Sequence, residues 1–120
     1  TYGIISPSDA PAWRPGRGKV VTWMNPMVLL VTYTAKPGMG DAFLREVAAR
    51  GILSKIRQED GCLAYEYYRS AEDTEKILLL ERWESPFHQK VHMSQPHMAE
   101  LSQLKNSYIA DVQLQRLSLM

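Results

Sequence analysis

Residues 61–83, GCLAYEYYRSAEDTEKILLLERW, constrain the fold of this 120-residue chain more than any other segment. Residues 62–68 carry three tyrosines and residues 76–83 end on a tryptophan, which predicts two β-strands. Between them, residues 70–75 contain no apolar side chain larger than alanine, so they predict the solvated turn of a hairpin.

Both faces of the second hairpin strand carry large apolar residues. The alternating sets are Ile77, Leu79, Glu81 and Trp83 on one side, and Lys76, Leu78, Leu80 and Arg82 on the other. A strand of this kind has to be covered on both sides, and one layer of helices covers only one of them. We therefore expect the sheet of a second subunit to cover the other face, so that the chain forms a homodimer.

The remaining patterns place this hairpin in the middle of an alternating order of elements. Residues 27–34 are nearly continuously apolar and predict a first strand. A helix is expected from Asp41, as its N-cap, to about Gln58, because apolar residues recur there at three- and four-residue spacing.

The second half of the chain predicts helices and a last strand. Ser85 and Pro86 are typical of a helix start, and helices are expected over residues 86–93 and 97–105. A turn at 106–110 then leads to a strand over 111–117, with Val112 and Leu114 pointing inward. The order β-α-β-β-α-β is the ferredoxin-like arrangement of an α+β protein.

Residues 1–26 differ in composition from the rest and are interpreted as an N-terminal arm, separate from a domain over 27–120. Four prolines and three glycines exclude a long helix in the arm. Its tryptophans, Trp13 and Trp23, would pack on the arm's own domain or on a partner subunit; the alternative is a tethered tail.

Composition excludes several classes of function. The chain has 14 basic and 13 acidic residues and no basic cluster on a helix face, so we expect no nucleic-acid partner. No apolar run approaches the roughly 18 residues of a membrane span, so no membrane partner is expected. The single cysteine, Cys62, excludes an intrachain disulfide and is typical of a reducing compartment, so we expect a cytoplasmic protein.

Four motifs occur in a characteristic order between residues 27 and 117. They are Lys36-Pro-Gly38, then Asp60-Gly-Cys-Leu63 with Tyr65 and Tyr68-Arg69, then Leu78-Leu-Leu-Glu-Arg-Trp-Glu84, and last His92-x-Ser94-x-x-His97. In this order and spacing the chain resembles the antibiotic biosynthesis monooxygenase family, which includes small quinol monooxygenases. The arm lies outside the resemblance.

The resemblance implies a dimeric α+β barrel with a pocket between helices and sheet in each subunit. It also implies oxidation of a quinol or polyphenol by dioxygen, with no metal or organic cofactor. Other members degrade haem or isomerise small molecules. The haem-degrading branch requires an asparagine and a histidine where this chain has Val31 and Leu101, so haem is disfavoured.

The resemblance and the residue types together select candidate site residues. His92 stands at the family's histidine position and is the candidate catalytic base, because histidine titrates near neutrality. Trp83, His97, Tyr65 and Tyr67 are the candidate pocket-lining residues. Each of three residues also has a structural alternative to a role in the site. In these alternatives His92 forms hydrogen bonds with buried polar groups between helix and sheet, His97 fixes the kink between the helices through a local hydrogen bond, and Trp83 is a core residue.

Other polar residues receive structural interpretations. His88 is expected to be exposed; it is four residues from His92, but no third ligand is evident, so we expect no metal site. Arg69 and Arg82 are expected to form salt bridges at the rim, and Cys62 to be a small core residue.

The sequence leaves three functions open. The first is a cofactor-independent monooxygenase acting on a quinol or polyphenol. The second is an isomerase or lyase in which His92 shuttles a proton. The third is a dimer that binds a small molecule without catalysis.

Overall fold

The computed structural model describes residues 26–118, so the predictions for residues 1–25 lie outside the described residues. Its elements are β1 (Met27–Ala35), α1 (Gly40–Ala49), α2 (Ile52–Arg57), β2 (Cys62–Arg69), β3 (Lys76–Trp83), α3 (Pro86–Met93), α4 (Pro96–Tyr108) and β4 (Ile109–Leu117). The predicted ferredoxin-like order is confirmed, with two helices in each of the helical regions.

The four strands form one antiparallel sheet in the order β2-β3-β1-β4. The predicted hairpin is the pair β2 and β3, in which Tyr65 lies opposite Glu81. β1 begins the domain but lies inside the sheet, where Val31 is opposite Leu79 on one side and Leu114 on the other.

The core lies between one face of the sheet and the helices. Its largest fully buried side chains are Trp83, Tyr33, Tyr65 and Phe43. Every inward residue of β3 is buried, including the acidic Glu81, whereas the alternate residues of that strand are not. The helix-facing side of the hairpin therefore holds both the aromatic core and a buried carboxyl group.

The first helical region is broken at Gly51, so the prediction of one helix from Asp41 to about Gln58 is wrong. Gly51 adopts φ 73°, a left-handed conformation that favours glycine and ends α1 before α2 begins. Asp41 is also not the N-cap. Met39 occupies that position, and Asp41 lies in the first turn of α1. There its negative charge interacts favourably with the helix dipole, and it forms an ion pair with Arg69.

The turn predicted at 106–110 is also wrong, because α4 continues to Tyr108 and β4 starts directly at Ile109. Val112 and Leu114 do share the helix-facing side with their partners on β1, as predicted. They are nevertheless 47% and 62% exposed, since β4 is an edge strand and the helices do not cover it.

The opposite face of the sheet is open in the single subunit. Tyr68 of β2 and Leu78 of β3 are adjacent on this face and are 50% and 37% exposed. Within residues 26–118, no helix is long and apolar enough to cross a membrane.

Candidate functional site

Glu59 holds two histidines on one carboxylate. His92 Nδ1 lies 3.0 Å from both Oε1 and Oε2 of Glu59, and His97 Nε2 lies 2.6 Å from Oε2. All three side chains are largely shielded from solvent, and His92 is only 1% exposed. In such surroundings a charged or polar group is stable only when its hydrogen bonds are made.

Two turns of the backbone bring these residues together. After α2 the backbone turns, with Cys62 N donating to Glu59 O, and the turn directs Glu59 toward the second helical region. Between α3 and α4 the chain turns again at Ser94 and Gln95. His92, at the end of α3, and His97, at the start of α4, therefore converge on the same carboxylate.

The acceptor character of an ionised carboxylate fixes the tautomers of both rings. His92 Nδ1–H and His97 Nε2–H donate to Glu59, because a carboxylate has no hydrogen to give. When the His92 ring carries one proton, on Nδ1, its Nε2 atom is an acceptor. Among the residues the structure describes, no hydrogen bond engages that atom, so it is available to take a proton.

Aromatic side chains surround His92. The Trp83 ring lies 4.5 Å from the imidazole, centroid to centroid, at an interplanar angle of 33°. The Tyr65 ring is 5.7 Å from the imidazole, and Tyr67 stands edge-on to Tyr65 at 5.9 Å. These rings form an apolar wall of the kind that binds an aromatic ligand.

Glu81 is a buried carboxyl group in contact with this wall. Trp83 Nε1 donates to its Oε1 over 3.0 Å. Burial raises the pKa of Glu81 above its ordinary value, and the Trp83 hydrogen bond and the charges of His92 and Lys105 oppose that rise. A buried carboxyl group with a raised pKa, next to a histidine, is a common feature of functional sites.

The hydroxyl groups of three tyrosines face the same interior. Burial raises the pKa values of Tyr33, Tyr65 and Tyr67 well above 10, so they stay protonated. The Tyr67 hydroxyl is buried and makes no hydrogen bond to a described residue. The Tyr65 hydroxyl is close enough to the Tyr67 hydroxyl to lower the Tyr67 pKa, although the two groups do not have the geometry of a hydrogen bond.

The model of the family described as antibiotic biosynthesis monooxygenase matches residues 26–103, which include the site. The chain belongs to the antibiotic biosynthesis monooxygenase family. The match covers most of the chain, so the resemblance drawn from the four motifs is confirmed.

Solved structures support this assignment. A protein from Pseudomonas aeruginosa is 26% identical, with a TM-score of 0.71, over 79% of this chain and 94% of its own. A structure named antibiotic biosynthesis monooxygenase is 23% identical, with a TM-score of 0.68, over 78% of this chain and 98% of its own. A Mycobacterium tuberculosis protein is 23% identical, with a TM-score of 0.69, over 80% and 96%. The last two show the shared fold alone. The search of curated proteins found no significant match.

In this member of the antibiotic biosynthesis monooxygenase family, the prediction that His88 is exposed is wrong. Its side chain is 16% exposed, its Nδ1 is 2.7 Å from Ser85 Oγ, and its ring packs where a Cβ on Gly61 would stand. The ring faces Asp60 and Glu84, whereas His92 faces Glu59. The two histidines therefore do not converge, and residues 26–118 contain no group of His, Cys, Asp and Glu arranged to hold a metal.

Arg69 and Cys62 have the structural roles that the sequence predicts. Arg69 forms a rim ion pair with Asp41, as predicted. Cys62 packs against the core, and its pKa is raised to about 11 by burial and by the charges of Glu59 and Glu81, so the thiol stays protonated.

The fold brings four of the five candidate site residues of this family member into one cluster, namely His92, His97, Trp83 and Tyr65, with Tyr67 beside them. His97 does not fix the kink locally, because its partner is 38 positions away. Sequence reasoning missed Glu59 and Glu81. The inward alternation of β3 could have found Glu81, since it places an acidic residue among Ile77, Leu79 and Trp83.

Proposed function

We propose that this family member is a cofactor-independent monooxygenase that oxidises a quinol or polyphenol with dioxygen. The observation that carries the proposal is the Glu59-held His92 against the rings of Trp83 and Tyr65. It combines a group that can accept a proton with an apolar aromatic wall, and this chemistry needs both.

His92 Nε2 takes the proton of a phenolic hydroxyl, and Glu59 stabilises the imidazolium that forms. The resulting anion passes an electron to dioxygen, and a ring carbon then bonds the reduced oxygen. The O–O bond then breaks as the same ring carbon gives up its hydrogen as a proton, so one oxygen atom remains in the hydroxylated quinone and the other leaves as water. An apolar, water-poor enclosure protects the intermediates from side reactions.

The near-complete burial of His92 favours a second candidate, a non-catalytic binding protein. In that case Glu59 simply ties the turn after α2 to the two helices that carry the histidines. For the enzyme, burial means that α3 and α4 have to shift before an aromatic ring reaches Nε2. Such motions are common in enzymes that exclude water.

Oxygen uptake on addition of a reduced naphthoquinone, followed across a panel of quinols, tests the enzyme. We expect uptake in the native protein and a fall of roughly 10²-fold or more in His92→Ala, which lacks the base. Lys90→Ala, an exposed change on the same helix, is the control and keeps full activity. No uptake above background with any quinol would overturn the proposal, and turnover without oxygen would favour the isomerase or lyase.

We also propose that the protein acts as a homodimer in which a second copy covers the open face of the sheet. Tyr68 and Leu78 support this proposal, because large apolar side chains are adjacent and exposed there. Patches of this kind on a single subunit are typical of interaction surfaces.

A further inference from the structure

Lys105 lies between an open groove and the buried carboxyl group of Glu81. The groove has a volume of about 310 Å³ and is lined by Ser102, Lys105 and Asn106 of α4 and by residues 109–112 of β4. Lys105 Nζ is 5.6 Å from the centroid of the Tyr33 ring, on the core side of the groove. One side chain therefore contacts both the opening and the aromatic interior.

Lys105 and Glu81 interact without forming an ion pair. Burial lowers the pKa of Lys105, and the charge of Glu81 opposes this effect. Burial raises the pKa of Glu81, and the charge of Lys105 opposes that effect in turn. Yet among the described residues no ion pair within 4.0 Å joins them, and no hydrogen bond to a described residue satisfies Lys105 Nζ.

Two polar side chains beside the Tyr33 ring, Tyr67 and Lys105, make no hydrogen bond to a described residue. The Tyr67 hydroxyl is buried without a hydrogen-bond partner among residues 26–118, whereas Glu81 accepts from Trp83. Buried polar groups are normally satisfied, so the Tyr67 hydroxyl is an exception. The half-buried Lys105 ammonium group, at the edge of the groove, is open to solvent or to a ligand. A ligand oxygen that enters from the groove can therefore accept a hydrogen bond from this ammonium group.

We propose that Lys105 determines the specificity of the site by binding the ionised ring oxygen of a phenolic ligand that enters through the groove between α4 and β4. The proposal rests on the proposed function, and it adds the class of ligand: a small aromatic ring with one ionised oxygen. A half-buried ammonium group pairs with such an anion more strongly than it would in water.

The groups around Lys105 narrow the class further. Asp111 lines the groove, and Glu81 faces Lys105 from β3, so a ligand with a second negative charge would be repelled. Tyr33 contributes its ring from β1 and remains protonated. Burial raises the pKa of Glu81 and so disfavours its charged form, which weakens its repulsion of a bound anion.

Equilibrium binding of two matched probes tests the inference. They are 2-hydroxy-1,4-naphthoquinone, which is an anion at neutral pH, and 1,4-naphthoquinone, which is uncharged. We expect the native protein to prefer the anion by about 10-fold or more, as one charge-assisted bond in a partly buried site permits. Lys105→Met should abolish the preference, Lys105→Arg should keep much of it, and the exposed change Lys55→Met should not alter it.

The outcomes separate this inference from the proposed function. An equal preference in the native protein and in a folded Lys105→Met variant would overturn the role of Lys105, even if oxygen uptake were normal. A Lys105-dependent preference without any oxygen uptake would support the binding site and remove the monooxygenase. Circular dichroism confirms that each variant is folded, and Lys105→Arg gives a second measurement if Lys105→Met does not fold.

Discussion

Glu59 and His97 are 38 positions apart in the chain, yet 2.6 Å separates Oε2 of one from Nε2 of the other. The contact fixes the helix that begins at Pro96 against the turn that follows Arg57. The same carboxylate also accepts from His92, so it connects three parts of the subunit. Glu59 is therefore a positioning residue for the candidate base.

Glu59→Gln should reduce oxygen uptake by roughly 10²-fold or more. His92 Nδ1 contacts both carboxylate oxygens, so a glutamine always turns an NH2 donor toward it. That donor opposes Nδ1–H and favours the wrong tautomer of His92. Glu46→Gln is the control, because Glu46 pairs with Arg50 in an exposed contact that contributes little. Full activity in a folded Glu59→Gln variant would contradict this role.

Glu81→Gln should change how stability depends on pH. The pKa of Glu81 is raised above 4.5 in the folded protein, so the folded chain keeps this proton to a higher pH than the unfolded chain. Its contribution to stability is thus complete below the ordinary pKa and is lost as the pH rises through the raised value. Glutamine has no such loss and can still accept from Trp83.

Denaturant unfolding of both proteins at a series of pH values measures this difference. The two free energies of unfolding should converge in acid, and Glu81→Gln should become the more stable as the pH rises toward neutrality. The other charged groups that face Glu81 are Glu59, His92 and Lys105, and all are unchanged in the variant. The exposed turn change Glu72→Gln is the control. Parallel curves for the native protein and Glu81→Gln would rule the prediction out.

Gly61→Ala should destabilise the protein more than Gly51→Ala. Both glycines have positive φ, 82° and 73°, so each alanine costs roughly 1–2 kcal/mol in backbone strain. Only at Gly61 would the new Cβ also collide, at 2.3 Å from the His88 ring, which adds about 1–3 kcal/mol. At Gly51 no heavy atom lies within 4 Å of such a Cβ. Equal losses in thermal unfolding would show that the ring of His88 moves aside freely.

Leu78→Lys should weaken the proposed dimer by about 10-fold or more in dissociation constant, because it places a charge at the centre of an apolar contact. The measurement is light scattering or sedimentation over a range of protein concentrations. Val91→Lys is the matched control, since Val91 is 40% exposed but lies on α3, away from the open face of the sheet. If both variants associate like the native protein, that face is not the interface.

The order of strands and helices along the chain could be predicted from the sequence because it follows from periodicity. The two-residue alternation of β3 is local, and it grouped Trp83 with Leu79 on one face correctly, although it did not indicate which face the helices cover. The left-handed turn at Gly51 was missed because apolar spacing continues across it and glycine is tolerated within a helix. The ends of α4 and β4 were misplaced because no turn separates Tyr108 from Ile109.

The site was harder to predict than the fold because its contacts are not local. His92 was selected for its family position, but nothing near it in the chain indicates that Glu59 is its partner. Lys105 has an ordinary position in the sequence of a helix, and only the packing of α4 over Tyr33 gives it a partly buried environment. Pairings across 30 or more residues depend on the finished packing.

The central position of β1 has a consequence for how the chain folds. Its two neighbours in the sheet are β3 and β4, both of which come later in the sequence, and Val28 is paired with Leu117 at the far end. Contacts between such distant residues incur a large loop-closure entropy before they give any stabilisation, which slows folding. During synthesis β1 leaves the ribosome before the other strands and stays unpaired until β3 follows. The complete sheet forms only after β4 has left the exit tunnel.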